Sequence, residues 1–185
     1  MKLALKGKRN YLTGADIINF SLKKVIKRKN VVFNFHKFSK KFLVIKKFDY
    51  NKKIPKKNIV STIVTFSQKK KTVFQILELD KIIKEKKIFD ENKLLQNYKI
   101  NKRSITQNKN NKNFFDTIVA LNKELLNTKI VKNNWIFCKL EMKNLNKLRY
   151  KKIKIKLEDD IKKKFYKSSI YLDNKIIGFI YFIKK

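Results

Sequence analysis

Few residues in this 185-residue chain can do chemistry, and their scarcity narrows the options at once. His36 is the single histidine and the only side chain whose ordinary pKa lies near neutrality, which makes it the lone candidate general base or acid. Asp16 and Asp116 are the acids expected in the first turn of a helix. A carboxylate there either handles a proton or simply complements the positive end of the helix dipole. Glu158, Asp159 and Asp160 form the one acidic cluster, open to a divalent cation or to a solvated turn with the lysines that follow. Ser168 and Ser169 have no histidine near them in sequence, and Cys138, the only cysteine, reads as a small core residue.

Several chemistries are excluded by what is missing. One cysteine and one histidine allow neither an internal disulfide nor a zinc site of the usual ligand sets, so no metal is expected. The three glycines, at 7, 14 and 178, do not assemble a phosphate-cradling loop, and no nucleotide cofactor is expected either. The residues favour a binding or structural role over catalysis.

Charge is the dominant feature: 49 Lys and Arg face 14 Asp and Glu, for a net +35. All but four of the basic residues are lysine, and with 20 Asn, 24 Ile and 15 Phe they make up more than half the chain. All four residue types have codons of A and T alone, so a genome drifting towards AT explains part of the excess. The rest calls for an anionic partner, RNA or another polyanion. Arginine is the better reader of bases, so a lysine-rich surface implies backbone contacts that position without reading sequence. The basic clusters assigned to such an interface are Lys23, Lys24, Lys27, Arg28 and Lys29; Lys69, Lys70 and Lys71; Arg103; and Arg149, Lys151 and Lys152. Tyr11, Tyr50, Tyr98 and Tyr150 lie near basic residues, as stacking platforms for bases would.

At 43% hydrophobic and 12% aromatic the chain has ample material for a core. Its longest apolar run, Ile176 to Ile183, is far shorter than the roughly twenty residues a spanning helix needs. The N-terminus lacks the apolar stretch of a secretory signal. The expected location is soluble, in the cytoplasm or an organelle interior.

Thr13 followed by Asp16 approximates a capping box and predicts a helix from Gly14 to Lys27, with Ile18, Leu22, Val25 and Ile26 on one face. Strands follow at Val31 to Phe38, Phe42 to Phe48, Ile59 to Phe66 and Thr72 to Leu79, with Gln68 to Lys71 as a hairpin loop. A polar, Asn- and Lys-rich linker at 101–113 separates this first unit, 1–100, from a second, 114–185. There Phe115, Ile118, Val119, Leu121, Leu125 and Leu126 form a helical stripe. Strands at Asn134 to Met142, Lys151 to Leu157, Lys167 to Leu172 and Lys175 to Ile183 follow, the last two joined by a tight turn at Asp173-Asn174. The fold class is thus α+β, a helix followed by a four-stranded antiparallel meander, twice.

A helix followed by an antiparallel meander resembles the hotdog fold, in which a sheet wraps one long helix, and two copies resemble a double hotdog. The resemblance implies an acyl-thioester hydrolase, a dehydratase or a non-catalytic acyl binder. It further implies an acidic acyl-carrier protein or coenzyme A as the thing bound. In such hydrolases an acid on the long helix activates water, the role it implies for Asp16 or Asp116; in such dehydratases an acid is paired with a histidine, here His36. The charge points first to an RNA-binding component of an organellar or reduced-genome ribosome or other ribonucleoprotein. The hotdog-type protein is the alternative, and a structural subunit with composition-driven charge is the third reading.

Overall fold

The computed structural model describes residues 3–22, 29–49, 55–67, 70–108, 113–130, 134–145, 148–161 and 164–185. These form two compact units that divide between Phe89 and Asp90.

Unit 1 begins with a two-residue strand β1 (Leu5–Lys6) and a short helix α1 (Gly14–Ser21). Strands β2 (Lys29–Phe35), β3 (Lys41–Lys47), β4 (Ile59–Ser67) and β5 (Lys70–Ile82) follow, then β6 (Lys86–Lys87), which pairs in parallel with β1. The helix starts where the capping box predicts, at N-cap Thr13, and ends at Ser21, short of the predicted Lys27; residues 23–28 lie outside the described residues. All pairs in the larger sheet are antiparallel, in the order β3-β5-β4-β2. The expected meander is not what forms here. β2 pairs with β4 and β3 with β5, so the β4–β5 hairpin sits between the two earlier strands. The core of the unit is made by Ile17 and Ile18 of α1 with Val31, Phe33, Val60, Ile63 and Ile76, all fully or almost fully buried.

The first strands of unit 2 are β7 (Tyr98–Asn101) and β8 (Ser104–Gln107), a hairpin whose second strand lies inside the stretch 101–113 expected to be a linker. The 16-residue helix α2 (Phe114–Lys129) comes next, then β9 (Trp135–Asn144), β10 (Ile153–Ile161), β11 (Phe165–Leu172) and β12 (Lys175–Lys184). The strand order is β9-β12-β11-β10-β8-β7, antiparallel throughout. Asp173 and Asn174 join β11 to β12 with positive φ at both positions, the geometry of the primed turn that suits the twist of a hairpin. Strict alternation assigns the faces. Ile153, Ile155, Leu157, Tyr166, Ile170, Ile180 and Phe182 are buried on the side of α2, and Lys154, Lys156, Lys167, Phe179 and Tyr181 stand on the other. α2 packs on β8 and β10 with the stripe Phe114, Ile118, Leu121 and Leu125.

Gly178 marks the tightest point of this sheet. A Cβ there would drive into the carbonyl oxygen of Glu141 on the neighbouring strand and come within 2.9 Å of Met142 Sδ. Gly178→Ala is expected to lower the unfolding free energy by about 1–3 kcal/mol, read as a lower urea midpoint at unchanged slope.

Candidate functional site

The two helix-start acids are used differently. Asp16 is almost fully buried, and both of its oxygens are taken. Oδ2 accepts from the backbone N–H of Thr13 at 3.0 Å and from its hydroxyl at 2.7 Å, while Thr13 Oγ1 accepts from Asp16 N–H at 3.2 Å. Oδ1 lies 2.8 Å from the ammonium of Lys6, itself almost fully buried, and 3.8 Å from that of Lys87. The Lys6 ammonium also lies 4.9 Å from the centroid of the Phe89 ring. This carboxylate ties β1, α1 and β6 together and has no oxygen left to activate water. Asp116, also buried, occupies the first turn of α2, where Thr117 donates from both N–H and hydroxyl to the Asn113 carbonyl at 2.9 and 3.1 Å.

His36 follows the end of β2 on the surface, its Nε2 lying 3.2 Å from Thr62 Oγ1. Partial burial lowers its pKa below the ordinary value. It is not brought to Asp16, so the acid–histidine pair of a dehydratase does not form from these residues.

The acidic triplet is not a cation site. Glu158 is an extra residue bulged out of β10 between Leu157 and Asp159, while Asp159 and Asp160 sit opposite Lys167 and Tyr166 on alternate faces. Among the described residues no three potential ligands gather. Glu158 instead accepts the hydroxyl of fully buried Ser169 at 2.5 Å and pairs with Lys156 at 3.2 Å. The Ser169 hydrogen bond is the largest influence, and together with the hydrogen bond and charge of Lys156 it outweighs burial and holds the Glu158 pKa below the usual carboxylate value. Cys138 is likewise the extra residue of a bulge in β9; burial pushes its thiol up to about 11, and it donates to the Tyr181 carbonyl at 3.3 Å. It is an inert thiol at neutral pH.

The basic residues assigned to an interface are scattered. Lys23, Lys24, Lys27, Arg28 and Lys69 lie outside the described residues. Lys29 opens β2, Lys70 and Lys71 open β5, and Arg103 donates to the Glu158 carbonyl at 2.9 Å. Arg149, Lys151 and Lys152 are exposed before β10, where the backbone N–H groups of the two lysines donate to Asp173. The aromatic platforms are occupied by other work: Tyr11 packs on Phe38 at 4.5 Å, Tyr98 donates to Glu124 on α2 at 3.0 Å, and buried Tyr150 meets Phe114 edge-on. Tyr50 is outside the described residues. On the outer face of unit 2, lysine ammoniums cap rings instead: Lys167 over Phe179, Lys139 over Tyr181 and Lys154 over Tyr171, at 4.3, 4.9 and 5.9 Å.

No family model matches the sequence, and no curated protein matches it. Solved structures do. A Thermobifida fusca YX protein assigned as a thioesterase II superposes with a TM-score of 0.54 at 6% identity, over 97% of this chain and 88% of that one. The tesB protein of Mycobacterium avium subsp. paratuberculosis gives 0.50 at 6% identity, over 98% and 90%. An Alicyclobacillus acidocaldarius protein described as having a hot dog fold gives 0.44 at 8%, over 94% and 87%. The structural neighbours are hotdog-fold proteins, and this chain is hotdog-like. That finding overturns the reading as an RNA-binding or ribosomal component, which rested on charge: neither the neighbours nor the placement of the lysines and tyrosines supports an RNA partner. Among the described residues no helix is long and apolar enough to cross a membrane.

Two measurements check these assignments. Asp16→Asn strands a buried ammonium and is expected to cost about 3 kcal/mol in urea denaturation at neutral pH, against less than about 0.5 for His36→Ala. Because the folded pKa of Glu158 is lowered, its contribution is complete above the ordinary value of 4.5 and is lost as pH falls through the folded value. Ser169→Ala should therefore flatten the acid side of the melting-temperature profile in that range.

Proposed function

We propose that the chain is a hotdog-type acyl-thioester protein, taking up an acyl group presented on coenzyme A or on an acidic acyl-carrier protein, with unit 2 as the working half. One observation carries the reading: the likeness, over nearly the whole chain, to the Thermobifida protein assigned as a thioesterase II. The charge of +35 supports an acidic carrier, which such a surface attracts and orients over distance.

Within the chain, α2 is the better central helix. It has twice the residues of α1 and is buried along most of its length. Asp16 is committed to Thr13 and Lys6; Asp116, in the first turn of the longer helix, is the acid to which the hotdog resemblance assigns the activation of water. Dehydration is disfavoured by the surface position of His36.

The two units are read as a duplicated arrangement. In each, a helix precedes four strands, and the third and fourth form a central hairpin flanked by the first and second. The hairpin is turned over between the units, so the first strand meets the third in unit 1 and the fourth in unit 2.

The test is calorimetric titration with acyl-coenzyme A of several chain lengths and with acyl-carrier protein, alongside an assay of thiol release. Saturable binding is expected, with the carrier form weakened more steeply by salt. Asp116→Asn should reduce any thiol release about a hundredfold while binding stays within about twofold. Absence of binding to both forms at low salt would rule the proposal out.

A further inference from the structure

The outer face of unit 2 changes character from one row of side chains to the next. Across β9, β12 and β11 one row is Glu141, Phe179 and Ser169, the next is Lys139, Tyr181 and Lys167, and the last is Ile136, Ile183 and Phe165. In the first two rows the rings are capped, Phe179 by the ammonium of Lys167 and Tyr181 by that of Lys139. The last row is apolar throughout. Its two isoleucines are half-buried, and the Phe165 side chain is 45% exposed. Neighbouring strands lie about 4.8 Å apart, so these three side chains make a continuous strip about 10 Å across at the end of the sheet.

Lysines frame the strip. Lys139 and Lys167 border it on the inner row. Beyond it stand Lys164 and Lys184, whose backbones are joined by a hydrogen bond of 3.0 Å, and Lys185, all three exposed. The acids nearby, on β10, are Asp159, opposite Lys167, and exposed Asp160, so positive charge prevails around the apolar row. Trp135, the single tryptophan of the chain, belongs to the same end: it is in register with Lys184 and donates from its indole N–H to Asn127 of α2 at 2.8 Å.

An exposed apolar strip bordered by cations needs a surface that offers two kinds of contact at once. A bilayer rich in anionic lipid does so, taking apolar side chains into the boundary between headgroups and acyl chains while its phosphates hold the lysines. The acidic surface of a protein would match the lysines and set carboxylates against the Phe165 ring. We propose that this end of unit 2 docks on an anionic membrane surface, with Phe165, Ile136 and Ile183 entering the interface and Lys164, Lys184 and Lys185 on the lipid phosphates. The attachment is peripheral, made by strand ends, and needs no spanning helix. It is independent of the acyl-thioester reading.

The experiment is co-sedimentation of the full chain with vesicles of phosphatidylcholine alone and of phosphatidylcholine with about one third phosphatidylglycerol. Binding is expected to the anionic vesicles only, and weaker as salt is added. A chain of +35 is drawn to any anionic surface, so the deciding comparison is between two phenylalanines of equal exposure, Phe165 and, on β4 of unit 1, Phe66, each 45% exposed. Phe165→Ser should weaken partition about tenfold and Phe66→Ser less than about twofold. Lys164→Gln, Lys184→Gln and Lys185→Gln together should weaken it about a hundredfold. In the wild type, lipids brominated along the acyl chain should quench the fluorescence of Trp135, a readout that needs no variant. Equal losses from the two serine variants, or bound protein with unquenched Trp135, would mean attraction by bulk charge and overturn the proposal, as would no binding to anionic vesicles at low salt. Phe165-dependent capture of polyglutamate without vesicle binding would assign the strip to an acidic protein and overturn it as well.

Discussion

Burial of α2 against one face of its sheet is the constraint on which unit 2 depends. Once Phe114, Ile118, Leu121 and Leu125 are committed to that face, alternate residues of β8 and β10 through β12 turn inward and are mostly apolar, with Gln107 and Ser168 the buried polar ones among them. A one-residue slip would turn lysines inward, which is why the extra residues are confined to bulges, as at Glu158 and Cys138. These two bulges are each pinned by a side-chain bond, Ser169 to Glu158 and Cys138 to the Tyr181 carbonyl.

The same alternation explains how so much positive charge is tolerated. With 49 basic residues and 14 acids, pairing cannot neutralise the chain. Several acids are nonetheless spent on pairs, Glu78 with Lys37 and Glu141 with Lys139 among them. On the outer face, lysine ammonium groups sit over aromatic rings, Lys139 over Tyr181 and Lys167 over Phe179. Charge and aromatic content side by side look like a nucleic-acid surface in a composition table. In the folded chain the rings are a base for the lysines.

Much of the fold was legible because it rests on local chemistry. Thr13 with Asp16 announced a helix start, Asp173-Asn174 a primed turn, and the α2 stripe a buried face. What escaped depends on partners distant in sequence. β7 and β8 are four residues each, with only Lys102 and Arg103 between them, and β8 lies in the polar stretch that reads as linker until β10 supplies the neighbour that makes it a strand. The strand order of unit 1 is equally invisible, since alternation fixes a strand's faces and says nothing about its neighbours. At the site, Asp16 was found but its buried partner Lys6 was one lysine among many.

The buried Lys6–Asp16 pair also bears on the order in which the chain assembles. An eight-residue helix rises only about 12 Å and is not stable on its own in water. Asp16 cannot be enclosed profitably before Lys6 arrives, and Lys6 is set in place by β6, some eighty residues further along the chain. The helix that begins with the clearest local signal is thus a late element of folding, conditional on closure of the longest loop in unit 1. During synthesis the N-terminal segment must wait for residues 86 and 87 to emerge before its first helix can hold.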